Sequence, residues 1–91
     1  MRILILLLLL PALLTAQRPM NVAQQAFDRA DYPEAYALFR EASEQYIKAN
    51  EPVEYIQCNL MMSECKILSG EPNEGRQIAE NTLEYLSKYF P

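Results

Sequence analysis

An all-α protein is what this sequence predicts, on three observations. Apolar residues recur at helical steps of three and four, and no stretch alternates as a strand would. Tight breaks, each carrying a proline, punctuate the chain at Asp31-Tyr32-Pro33, Asn50-Glu51-Pro52 and Gly70-Glu71-Pro72-Asn73. The segments Ala30–Ala35 and Gly70–Gly75 align under a shift of 40 residues, each opening the second helix of a hairpin.

The first 16 of the 91 residues stand apart. Met1-Arg2 supplies a minimal positive start, Ile3–Leu10 is an unbroken apolar run, and Pro11–Ala16 leads into polar Gln17. This layout predicts a signal peptide over 1–16, cut after Ala16, and hence a secreted or periplasmic protein. An uncleaved anchor is the competing reading. Ile3–Ala16 carries an internal proline and falls short of the roughly 20 residues that span a bilayer. The remainder, 17–91, has room for one small domain.

Helix by helix, the spacing predicts the following. The first helix opens at Arg18-Pro19 and runs to about Ala30, with Val22, Ala23, Ala26, Phe27 and Ala30 on its apolar side. The second runs from about Pro33 to Ala49. Its stripe is Ala35, Leu38, Phe39 and Ala42, extended by Tyr46 and Ile47, and Glu44 stands at the favourable distance from Lys48 for an ion pair. The third runs from about Pro52 to Ser69, with Ile56, Leu60, Ser63 and Ile67 on one face and Val53, Met61, Met62 and Leu68 broadening it. A helix this apolar is expected to be covered on more than one side. Gly70 suits a left-handed cap. The fourth runs from about Asn73 to Tyr89, with Ile78, then Thr82 or Leu83, then Leu86 and Tyr89 as its stripe.

Under the 40-residue shift Ala23 meets Ser63, Phe27 meets Ile67, Phe39 meets Ala79 and Ala42 meets Thr82. Small residues oppose small ones where helices must cross. Units of this kind stack into solenoids. The first hairpin resembles a tetratricopeptide repeat (TPR): Ala23 early in its first helix, Ala30 at the turn, Tyr32, then Ala35, Phe39 and Ala42. The second hairpin is similar at Ser63 and Gly70, with Pro72 for the turn aromatic, Gly75 for the second-helix alanine, and Lys66 where tyrosine is common. A period of 40 rather than 34 resembles the longer-helix repeats of kinesin light chains and of bacterial caspase-like CHAT proteins. The leader, the repeats and Tyr89-Phe90-Pro91 together resemble the N-terminus of exported proteins of the latter kind.

That resemblance covers residues 19–91 and implies two TPR-like hairpins, about 19–50 and 52–90, as a fragment of a right-handed α-solenoid. It also implies a concave protein-binding face lined by Gln17, Met20, Gln24, Phe27 and Asp28, then Gln57, Leu60, Glu64, Ile67 and Leu68. The lysine and asparagine with which chaperone-tail binders clamp a carboxylate have no counterpart at Met20, Gln24, Leu60 or Glu64. An apolar or basic peptide suits such a face better. Any protease-like chemistry of a CHAT protein would belong to a C-terminal domain absent from these 91 residues.

Composition argues against other functions. Twelve acidic residues against eight basic ones, a net charge of −4, disfavour nucleic acid, which requires clustered Lys and Arg. The chain has no histidine, which removes the commonest general base and the usual zinc ligand sets. Pairs such as Glu41/Glu44 and Glu80/Glu84 read as solvated helix faces, and Gly70 and Gly75 form no phosphate loop. No catalytic residue, cofactor or metal is therefore expected. Cys58 and Cys65 lie seven apart on one helix, about 10 Å between Cα atoms, too far for a bridge within the chain. Buried free thiols are the expectation, with pairing between molecules as the alternative.

Tyr36 and Tyr55, off the main stripes, are binding candidates, and Met61-Met62 reads as core filling. The last helix carries too many apolar residues for one face: Ile78, Leu83, Tyr85, Leu86, Tyr89 and Phe90. A further repeat, a partner chain or a second copy is expected to dock there.

Overall fold

A computed structural model describes residues 19–91; the leader, its cut site and Gln17 lie outside the described residues. Within that range the protein is all-α, with no strand. Helix α1 covers residues 19–28, α2 Tyr32–Lys48, α3 Pro52–Leu68 and α4 Pro72–Tyr89.

The three turns are copies of one another, spaced 20 residues apart. At each, one residue adopts a left-handed conformation: Ala30 (φ 62°), Asn50 (φ 58°) and Gly70 (φ 83°). The amide of that residue donates to the carbonyl three residues back, at Phe27, Ile47 or Ile67. The next amide, of Asp31, Glu51 or Glu71, donates to the carbonyl of Ala26, Tyr46 or Lys66. This is the paired closure of a Schellman turn, which satisfies the last carbonyls of each helix. The following helix then starts with proline in its first two positions, where a missing N–H is harmless. Gly70 was the expected left-handed cap, whereas Ala30 and Asn50 adopt the same conformation with a Cβ that opposes it.

The core lies mainly among α1, α2 and α3. Ala23 and Ala26 from α1, Ala35, Phe39 and Ala42 from α2, and Cys58, Met62 and Cys65 from α3 form one buried cluster. Phe39 is the largest fully buried side chain, and the alanines around it let the helix backbones approach closely. From α4 only Ile78 packs against this cluster, and partly. Helix α3 packs on both α2 and α4, whereas contact between α2 and α4 is marginal at most.

The crossing of α3 and α4 is built from small and polar residues. Across it the Ser63 hydroxyl donates to the Gly75 carbonyl at 2.6 Å, while the buried Thr82 hydroxyl donates within α4 to the Ile78 carbonyl at 2.7 Å. A Cβ on Gly75 would sit 2.7 Å from Ile67 Cγ1 and 2.8 Å from the Ser63 carbonyl oxygen. Glycine is required by that approach. On α4 the choice between Thr82 and Leu83 falls to Thr82, which is buried while Leu83 is exposed.

Several expectations are corrected. Leu60 and Ile67 do not continue the buried stripe of α3; Ile56, Cys58, Met62, Ser63 and Cys65 form it. Ile47 and Val22 are exposed rather than packed. No Glu44–Lys48 ion pair forms among the described residues; the i, i+4 pairs are Arg76–Glu80 at 3.9 Å and Lys88–Glu84 at 3.8 Å.

Candidate protein-binding face

The surface of α3 is divided unequally. At 100° per residue, Val53, Gln57, Leu60, Glu64, Ile67 and Leu68 occupy one arc about 100° wide, and all six are exposed. Every other residue of α3 is buried or half-buried. The exposed positions of this helix therefore fall on a single stripe, four of whose six side chains are apolar. Val53, Leu60, Ile67 and Leu68 keep 51%, 46%, 50% and 48% of their surface in water.

The residues expected on a binding face are thus distributed in two ways. Gln57, Leu60, Glu64, Ile67 and Leu68 come together on that stripe. On α1, Gln24 and Asp28 are exposed and bonded to each other, the amide nitrogen donating to Oδ1 at 2.9 Å. Met20 and Phe27 are half-buried against the core, and Phe27 meets Tyr32 edge-on at 5.4 Å. Val53, expected to broaden the packed side of α3, joins the exposed stripe instead; its spacing of seven from Leu60 and fourteen from Ile67 is the signal for that placement.

Lys66 sits at a polar junction between α2, α3 and the start of α4. Its ammonium lies 4.3 Å from the centre of the Tyr36 ring on α2 and 3.2 Å from the carboxylates of both Glu71 and Glu74. Hydrogen bonds to Glu71 and Glu74 hold its pKa above the usual lysine value. Tyr36, expected to be available for binding, is half-buried under this cation, with Arg40 at 5.9 Å. Tyr55 is likewise engaged, at 4.7 Å from Tyr85, which stacks on Tyr89 at 4.5 Å.

Cys58 and Cys65 are free and buried, as expected from their spacing. Burial pushes both thiols up to about 11, with Glu54 and Glu64 respectively adding to the shift. Thiols held in that form are poor nucleophiles. Among the described residues no group of acidic or cysteine side chains could hold a metal ion, and no helix is long and apolar enough to cross a membrane. Compared with known proteins, the chain matches no family model, no curated protein and no solved structure.

Proposed function

We propose that this chain is a non-catalytic protein-binding module of an exported, TPR-like helical repeat protein, secreted or periplasmic once its leader is removed. The observation that carries the reading is the stripe on α3. A central helix wrapped by its neighbours would ordinarily turn polar residues to the remaining solvent, and here it turns Val53, Leu60, Ile67 and Leu68. The recurrence of the same turn every 20 residues adds support, because a regular repeat length is what stacked helix–turn–helix units show. No cofactor or metal takes part in this function.

Panning the purified protein against a displayed peptide library tests it. Peptides are expected that lose binding to Leu60→Glu and Leu68→Glu variants while the helical circular dichroism is unchanged. A library yielding no peptide sensitive to those substitutions would remove the reading.

A second reading is favoured by α4, where Leu83, Tyr89 and Phe90 are exposed. In that reading the chain is an N-terminal cap of a longer array, attached to a CHAT domain, or a helical bundle that self-associates through α4. Light scattering across a concentration series separates it from the first. Association relieved by Phe90→Glu supports it, and a concentration-independent monomer opposes it.

A further inference from the structure

We infer that the stripe on α3 receives a basic amphipathic helix of a partner protein, rather than an extended peptide. The inference rests on the protein-binding reading above and specifies the partner. Its first support is spacing. Val53, Leu60 and Ile67 stand seven residues apart, with Gln57 and Glu64 four residues after the first two, so the exposed positions follow the 4–3 alternation of a helix-pairing seam. The seam spans about 21 Å from Val53 to Ile67, at 1.5 Å per residue, and drifts about 20° around the helix every seven residues, the drift that a supercoiled partner helix follows. Apolar Val53, Leu60 and Ile67 alternate along it with polar Gln57 and Glu64, so a facing helix would set apolar side chains against the first three and polar ones against the other two. An extended strand, advancing about 3.3 Å per residue with alternate side chains turned away, does not reproduce that repeat.

Charge is the second support. Over residues 19–91 twelve carboxylates face six basic side chains, and four of the six are already engaged. Arg29 pairs with Glu34, Lys66 with Glu71 and Glu74, Arg76 with Glu80 and Lys88 with Glu84. Glu64, in the middle of the seam, has no cation among the described residues. A partner helix carrying lysine or arginine beside its apolar row would supply one, and an acidic helix would meet repulsion at that point.

The test uses three synthetic peptides of about three heptads against the purified protein. One has leucine at the seam positions and lysine at the flanks, one has glutamate at the flanks, and one is the lysine peptide broken by two central prolines. Fluorescence anisotropy is expected to show the lysine helix binding about tenfold more tightly than the glutamate helix. The proline-broken peptide should lose binding, and bound lysine peptide should gain helical circular dichroism. Glu64→Lys should reverse the preference between the two helices, which simple stickiness would not do. Leu60→Glu should weaken the lysine helix. Equal binding of the proline-broken peptide, or an unchanged preference in Glu64→Lys, would overturn the inference. If library peptides still depend on Leu60 and Leu68 in that event, the protein-binding reading stands and only the basic helix falls. If none do, both fall.

Discussion

The two helical hairpins solve the same packing problem with different materials. In α1–α2 the crossing is apolar: Ala23 and Ala26 lie against a helix carrying Ala35, Phe39 and Ala42, all fully buried. In α3–α4 the equivalent places, 40 residues on, are Ser63, Lys66, Gly75, Ala79 and Thr82. One aromatic ring fills the first, whereas a single hydroxyl-to-carbonyl bond, from Ser63 to Gly75, and a glycine close the second. The first hairpin therefore draws its stability from burial, and the second from close backbone approach. The difference explains why α4 lies at the margin of the core and leaves Leu83, Tyr89 and Phe90 in water.

Phe39→Ala should have the largest effect, about 3–5 kcal/mol of lost stability in a denaturant melt. That could unfold a domain whose total stability is of order 5–15 kcal/mol. A loss under about 1 kcal/mol would contradict its central place in the core. Gly75→Ala should follow at about 1–3 kcal/mol, because Ile67 and the Ser63 carbonyl must move aside. At the matching position of the first hairpin, Ala35→Gly should lose only about 0.5–1 kcal/mol, through backbone entropy. Equal effects at 35 and 75 would erase the contrast between the crossings.

Turn substitutions should be smaller and opposite in sign. Ala30→Gly should raise the stability by about 1 kcal/mol, because a left-handed residue with a Cβ is strained. Gly70→Ala should lower it by a similar amount, although open space surrounds that position. Thermal melts of the two variants check both signs.

The two thiols of α3 add to the alkaline pH dependence of stability. Cys58 and Cys65 ionise near 9 in the unfolded chain and near 11 when folded. Between those values the folded state holds the extra protons, so stability is full below pH 9 and falls as pH rises towards 11. A Cys58→Ala, Cys65→Ala variant should show a shallower alkaline decline in melts from pH 8 to 11. An identical slope would mean that the thiols are not protected by burial.

Much of the backbone was legible in the residues. Each break named by a proline is a break, Gly70 is left-handed, and the stripe Ala35, Phe39, Ala42 is buried, because turn chemistry and helical periodicity are local properties. A Phe39 flanked by alanines already states that two helices approach closely. The seven-residue separation of the two cysteines on one helix already ruled against an internal bridge.

What the chain alone did not decide is which of several apolar arcs a helix turns inward. On α3 both Leu60 and Cys58 are apolar, yet Leu60 is half in water and Cys58 is sealed, because α2 packs on one flank and α4 on another. Periodicity assigns residues to an angle around one helix axis; the directions from which neighbours arrive select the angle that is covered. The same holds for Lys66, whose partners Tyr36, Glu71 and Glu74 are brought to it from two other segments. Tyr36 and Tyr55 read as free for the same reason, and the tertiary arrangement gives both of them partners. The exposed seam on α3 is thus a property of the assembled helices: composition supplied its apolar residues, and packing on the other sides left them facing water.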